Sequence, residues 1–285
     1  MKKLVVRIGG GLGNQMFNFA VGLKLAKETG RSLVLDITEP MIVPGRAYGL
    51  DDFRGPRATA KCGLCLSAVF LLARVLQRFG QAWTRVFLGC CGIRWLHCWE
   101  DQPGFAASLA KGAANCTNRI LYVSGCCALL PPIVEQETVR EAFSPVIPIL
   151  SDEFDGDSVS VHVRRTDYGD AALGATYYRV AIAHMKAKVP RARWFVFSDD
   201  LSWCRTTFAD LSDCVFVEGD PVRPWADIVK MSLCRHHIVA NSTFSWWGSY
   251  LSSRDGYTLC PSRWFGGGPA TPGLVVPESW EQVAD

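Results

Sequence analysis

From residue 158 onward the chain alternates short apolar runs with amphipathic stretches, and that rhythm narrows its fold more than any other feature. Residues 158–163, 193–197, 214–217, 237–240 and 257–260 read as strands, with helices expected between them over 175–189, 200–208, 224–234 and 243–252. Strands this short and apolar, separated each time by a helix, form a parallel sheet with helices on its faces. In such a sheet ligands bind beyond the carboxyl ends of the strands. The segments found there are Arg164-Arg165-Thr166-Asp167, Ser198-Asp199-Asp200, Glu218-Gly219-Asp220, Asn241 to Ser245, and Pro261-Ser262-Arg263-Trp264. They are polar, basic and rich in hydroxyls, which suits a phosphorylated ligand.

The N-terminus shows the same rhythm once. A strand over 4–8 enters a glycine-rich turn, a helix follows from about Asn14 to Gly30, and a second strand covers 32–37. The turn lacks the G-x-G-x-x-G fingerprint of dinucleotide sites: the sixth position is Asn14 in one frame and Met16 in the other. Its glycines still allow a ligand to approach the backbone closely, with Asn14 and Gln15 as polar side chains at the rim. Between residues 40 and 150 the pattern weakens. Pro131-Pro132, Pro145 and Pro148, followed by an acidic stretch over 151–158, place a domain boundary there and give domains 1–150 and 151–285.

Composition excludes several classes. A net charge of +3 gives no reason to expect nucleic acid. The first residues lack a secretory signal, and the longest apolar run, 64–73, is half the ~20 residues a spanning helix needs. We therefore expect a soluble, cytoplasmic protein. Its twelve cysteines are expected to be reduced and mostly packing residues, Cys62, Cys65, Cys90, Cys91, His97 and Cys98 being too irregular for zinc. Basic residues cluster from Arg54 to Arg94 with no acid among them. That stretch is either a basic helical insert packed on the first domain or a peripheral contact with an anionic membrane.

Side-chain alternation puts Ser160, His162 and Arg164 on one face of the strand at 158–163, with Arg165 emerging at its end. Two adjacent arginines can grip a diphosphate through guanidinium forks, or can pair with Asp167. The helix beginning at Thr243 offers N–H groups to an anion, with Ser242, Thr243 and Ser245 adding hydroxyls. Capping of that helix by Asn241 or Ser242 is compatible with this. Asp199 and Asp200 look like a divalent-ion pair, or Asp200 caps the next helix. Because the arginines and the helix terminus already supply positive charge, we expect no metal and a nucleotide contact for these aspartates.

Four segments together resemble the motifs of the α-1,2-fucosyltransferases (glycosyltransferase family 11): RIGGGLGNQMFNFA at 7–20, SVSVHVRRTDY at 158–168, FVFSDD at 195–200 and HIVANSTFSWWGSYL at 237–251. The H-x-R-R-x-D core at 162–167 also resembles that of α-1,6- and protein O-fucosyltransferases, and PSRWF at 261–265 and PESW at 277–280 add support. Only about 41–142 is poorly matched. The resemblance implies a GT-B-like α/β fold of two Rossmann-like domains with a cleft between them. It implies GDP-fucose as donor, inversion at the sugar carbon, and no metal or other cofactor. The implied acceptor is the 2-hydroxyl of a terminal galactose in an oligosaccharide or lipid-linked glycan. By position, Arg164 holds the β-phosphate, Arg165 supports that site and Asp167 orients the arginines. His162 and one of Asp199 or Asp200 contact guanine, and Asn241, Ser242, Thr243 and Ser245 lie at the donor. Gly11, Gly13, Asn14 and Gln15 face donor sugar and acceptor from the first domain. No general base declares itself. The alternatives are a fucosyltransferase of another linkage, a nicotinamide-dependent oxidoreductase, and a non-catalytic nucleotide- or sugar-binding protein.

Overall fold

The computed structural model describes residues 1–43, 47–98, 105–125, 136–149, 152–264 and 276–284. They form two units, Met1–Val146 and Ile147–Asp285, each built on its own parallel sheet. The boundary expected at 150/151 lies outside the described residues, as do Pro131-Pro132 and Phe265.

In the first unit β1 (Lys3–Arg7), α1 (Leu12–Thr29) and β2 (Ser32–Asp36) make the expected βαβ unit. Helix α1 ends at Gly30 in the left-handed conformation (φ 62°), its N–H donating to Ala26 O, a backbone shape that glycine takes without steric cost. There follow α2 (Thr38–Ile42), α3 (Arg54–Ala58), α4 (Leu64–Gln77), α5 (Gln81–Cys90), β3 (Ile93–Cys98), α6 (Phe105–Ala114), β4 (Ile120–Gly125) and α7 (Gln136–Ala142). The sheet order is β2-β1-β4-β3, all parallel. The basic stretch is an integral part of this unit. Phe70 and Ala73 of α4 and Leu88 of α5 are buried against Val5, Val34, Ile93, Trp95 and Tyr122 of the sheet, with Phe70 stacked 4.0 Å from Tyr122.

Asp36, at the end of β2, is fully buried; it accepts from Tyr122 Oη at 2.8 Å and from the Thr38 N–H at 3.0 Å. It thus ties β2 to β4 and is not presented to a ribose, as a nicotinamide-dependent reading would require. Tyr122→Phe removes the donor to this buried carboxylate. It is expected to cost about 1.5–3 kcal/mol, read as a lowered denaturant midpoint at unchanged slope.

The second unit follows the expected rhythm closely: β5 (Ser158–Val163), α8 (Ala175–Lys188), β6 (Arg193–Ser198), α9 (Leu201–Thr207), β7 (Cys214–Val217), α10 (Trp225–Leu233), β8 (His236–Ile238), α11 (Thr243–Tyr250) and β9 (Thr258–Pro261). A last strand, β10 (Glu281–Val283), lies parallel on β9 and was not read from the sequence. All six residues of β5 are buried, as a central strand covered on both faces must be. Ser160, buried on this strand, pairs its Oγ with His237 Nδ1 at 2.8 Å. The order β7-β6-β5-β8-β9-β10 is that of a Rossmann sheet, 3-2-1-4-5-6 counted from β5. The chain therefore reverses its direction of travel between β5 and β8, and the ends of these two strands frame the crevice where such sheets bind ligands.

Among the described residues, no helix is long and apolar enough to cross a membrane, and no His, Cys, Asp and Glu side chains gather into a metal-binding group. Cys62, Cys65, Cys90 and Cys91 are free thiols; the side chain of Cys98 lies outside the described residues.

Candidate active site

A cavity of about 570 Å³ opens at the carboxyl ends of β5, β6 and β7, a volume typical of a small-molecule site. Its wall combines His162 and Arg164 with Ser198 and Asp199, then Glu218, Gly219 and Asp220, and finally Asp227 of α10 and Phe244 of α11. Alternation along β5 explains why His162 and Arg164 share the wall while Arg165 does not.

Arg164 is held in a fork. Its Nε and Nη2 each donate to Asp167 at 2.7 Å, and Asp199 lies 3.4 Å from Nε. Burial works against its charge, but Asp167 and Asp199 outweigh burial and raise the guanidinium pKa above its ordinary value. Arg165 is engaged elsewhere: its Nε donates to Asp200 Oδ2 at 3.2 Å, and its guanidinium covers the Trp203 ring at 4.2 Å. It braces the loop and does not line the cavity.

Most of the polar groups expected at the donor prove to be committed to the protein. Asp199 accepts from the backbone N–H groups of Arg165 (2.9 Å) and Thr166 (3.1 Å) and from Thr166 Oγ1 (2.6 Å). Burial would raise its pKa, yet these donors together with Arg164 hold it below the usual carboxylate range. Asp200 caps α9 by accepting from the Trp203 N–H at 3.0 Å. Ser242 caps α11 through the Phe244 N–H, and Ser245, 1% exposed, bonds Ala240 and the Ser242 carbonyl. Asn241 is buried and donates to Ala171 O at 2.9 Å. None of Asn241, Ser242, Thr243 and Ser245 lines the cavity, because α11 contributes Phe244 to that wall and turns its capping residues inward. Thr243, at the first position of the helix, stays half-buried.

Among the described residues, two buried atoms on this wall lack a hydrogen-bond partner, His162 Nδ1 and Asp227 Oδ1. Such atoms are costly unless something else satisfies them. Burial, reinforced by the charge of Arg164, pushes His162 down to about 3 despite Asp199, so its imidazole is neutral and stacks against Phe244. Burial raises Asp227 to about 6 although Lys230 Nζ lies 3.8 Å away and opposes the shift. Opposite Asp227, a Cβ on Gly219 would lie 3.0 Å from Oδ2, so a side chain there would crowd that carboxylate. Asp227 and Phe244 were not singled out from the sequence: one reads as the polar face of an amphipathic helix, the other as one more aromatic.

The first unit holds a smaller cavity, about 330 Å³, at the ends of its strands; Gly9, Gly10, Asn14, Asn18, Glu39 and His97 are on its wall. Glu39 grips Arg7 and accepts from the Gly10 N–H at 3.0 Å, with Arg74 at 3.6 Å. Burial alone would raise its pKa, but Arg7, the Gly10 N–H and Arg74 lower it. A Cβ on Gly9 would strike the Glu39 carboxylate at 2.5 Å, which is the close approach those glycines permit. Asn14 lines this cavity. Gln15 is not at the rim: it is 1% exposed, donates to Gly10 O and Ala47 O and accepts from the Gly49 N–H, so it holds the loop. Gly11 is the N-cap position of α1 and Gly13 lies in its first turn; neither lines the cavity.

Residues 140–267 match the family model for glycosyl transferase family 11, and the C-terminal cavity falls within them. The chain is 28% identical to an alpha-1,2-colitosyltransferase of Escherichia coli, over 99% of both chains. It is 33% identical over 107 residues to galactoside alpha-(1,2)-fucosyltransferase 1 of Ateles belzebuth, a stretch covering 34% of this chain and 29% of that protein. Its fold is similar to the crystal structure of NodZ alpha-1,6-fucosyltransferase soaked with GDP-fucose, with a TM-score of 0.51 at 17% identity over 88% of this chain and 92% of that one. The fold is thus GT-B-like, and residues 140–267 match glycosyl transferase family 11, the family that the chain's four motif segments resemble.

Proposed function

We propose that the chain transfers L-fucose from GDP-fucose to the 2-hydroxyl of a terminal galactose, with inversion and without a divalent ion. The observation that carries this reading is the C-terminal cavity, where Arg164 shares a wall with the unsatisfied His162 Nδ1 and Asp227 Oδ1. Guanine presents an N1–H and an amino group along one edge, two donors that match an ionised carboxylate. Asp227 suits that edge better than Asp199 or Asp200, whose oxygens already accept from Thr166, Trp203 and the backbone. For the same reason those two aspartates are poor ligands for a metal.

In the transfer, the acceptor hydroxyl attacks the fucose carbon opposite the departing GDP, and negative charge grows on the β-phosphate. Arg164, fixed beforehand by its two bonds to Asp167, meets that charge without reorganising. His162, with its pKa near 3, is too weak a base to take the hydroxyl proton near neutrality, so it serves binding.

The α-1,2 linkage is supported by the names of both sequence relatives, and the galactose acceptor by that of one. The end-to-end relative favours a second reading of the donor: colitose, which is fucose without its 3-hydroxyl. The deciding experiment offers GDP-fucose and GDP-colitose to a panel of β-galactosides with and without EDTA, and assigns the product linkage by NMR. We expect GDP-fucose turnover, undiminished by EDTA, and a 1→2 product. Preferred use of GDP-colitose would install the second reading, a 1→6 product would overturn the linkage, and GDP binding without turnover of either sugar would make the chain a binding protein.

A further inference from the structure

Of the large apolar residues exposed among the described residues, half lie within the hairpin formed by α4, its turn and α5. Leu64, Leu71, Leu72 and Val75 recur at i, i+7, i+8 and i+11, which places them on one stripe of α4. The opposite face of the helix, with Phe70 and Ala73, already covers the sheet. Helix α4 therefore has two apolar faces, and the fold uses one. In the turn Phe79 is 74% exposed, and on α5 Trp83 is 65% and Val86 62% exposed. The two helices pack on each other, so this surface is continuous across the hairpin. Packing against the unit leaves 41–91% of each of these side chains exposed.

Charge identifies what covers the surface. Residues 53–99 contain no Asp or Glu. Arg78 in the turn and Arg85 on α5 are exposed and have no carboxylate partner among the described residues. A second copy docking through the same face would bring these cations against each other, since a two-fold interface pairs a patch with itself. A bilayer with anionic headgroups matches both features: its phosphates meet the arginines, and its acyl boundary takes the apolar stripe and the aromatic side chains. With 14 residues, α4 is about 21 Å long, too short to span a membrane and of a length that lies in its interface. We infer that the α4–α5 hairpin is a peripheral membrane-docking surface selective for anionic lipid. It would keep a soluble enzyme at the surface where lipid-linked glycan acceptors are found.

The test is flotation of the full chain with vesicles of phosphatidylglycerol and phosphatidylcholine, against vesicles of phosphatidylcholine alone. The wild type should float with the anionic vesicles and much less with the neutral ones, and salt should weaken binding. Phe79→Ser with Trp83→Ser should lose binding ~10-fold or more, and Arg78→Glu with Arg85→Glu should lose the preference for anionic lipid by a similar factor. Each pair is on exposed positions, and thermal melts like the wild type's would confirm folding; should one pair misfold, the other carries the test. The inference is overturned if the wild type ignores anionic vesicles at low salt, or if folded variants bind as it does. Self-association lost in Phe79→Ser/Trp83→Ser, without any vesicle binding, would assign the surface to a second copy.

Discussion

Arg164→Ala should lower kcat by ~10²–10³, corresponding to ~3–4 kcal/mol of transition-state stabilisation, while the protein stays folded. The fold should survive because Arg164 contributes little to it. Its pair with Asp167 spans three residues and is partly exposed, and pairs of that kind add at most about 1 kcal/mol. Its value lies in direction. Two carboxylate bonds fix the plane of the guanidinium, so its remaining donors are aimed before the substrate arrives. Charge develops on the leaving diphosphate only as the bond to the sugar breaks, so the loss should fall on kcat more than on KM. Arg164→Lys keeps the charge and loses the fork, and should recover only part of the rate. Asp167→Asn should act in the same direction, more weakly, by freeing the guanidinium to wander. Near-normal turnover by a folded Arg164→Ala protein would take Arg164 out of the mechanism. Arg165→Ala makes the control: braced by Asp200 and Trp203 off the cavity wall, it should show its effect as lost loop stability.

The second unit could be read from its sequence because each central strand is buried on both sides and each connection is a helix, so apolar runs and amphipathic runs mark the elements directly. Strand alternation then put His162 and Arg164 on one wall, and the structure agrees. What the sequence could not give was the use of each polar group. Ser242, Ser245, Asp199 and Asp200 are the residue types a diphosphate or nucleotide would want, but they are also the best caps and turn-binders, and locally the backbone wins. Gln15 was lost to the same competition, taken by the carbonyls of Gly10 and Ala47 and the Gly49 N–H. The stretch from 54 to 99 read weakly for a different reason. Helix α4 is apolar on two faces, one toward the sheet and one toward solvent, so it lacks the single polar face by which a surface helix is recognised. Asp227 escaped because nothing near it in sequence marks it; α10 and the glycine at 219 bring it to the cavity.

Asp227→Asn should have opposite effects on stability and on binding, and that opposition identifies a group kept for a ligand. In the free protein burial raises this carboxyl to about 6, above the ordinary value of 3.8. A carboxyl raised in this way gives its full stabilisation below pH 3.8, where it is protonated in both folded and unfolded chains. It loses that stabilisation as pH rises through about 6, where the folded chain must bury the charge. Near pH 7.5, then, the ionised Asp227 works against the fold. Asparagine carries no charge, so the variant should melt at a higher temperature there, and the gain should vanish below pH 4. Binding should move the other way. A guanine edge gives two donors to two carboxylate oxygens, whereas an asparagine meets one of them with a donor of its own. Loss of a charge-assisted bond of this kind is worth about 1.5–3 kcal/mol, or ~10–150-fold in the GDP dissociation constant. Calorimetry should also show wild-type affinity rising as pH climbs through 6, with proton release on binding below it, and both trends absent in the variant. Inosine diphosphate, which lacks the amino group, should bind the wild type more weakly than GDP, and Asp227→Asn should compress that difference. If the variant gains stability and yet binds GDP as tightly as the wild type, Asp227 reads no base, and its unpaired oxygen must answer to the sugar or to water instead.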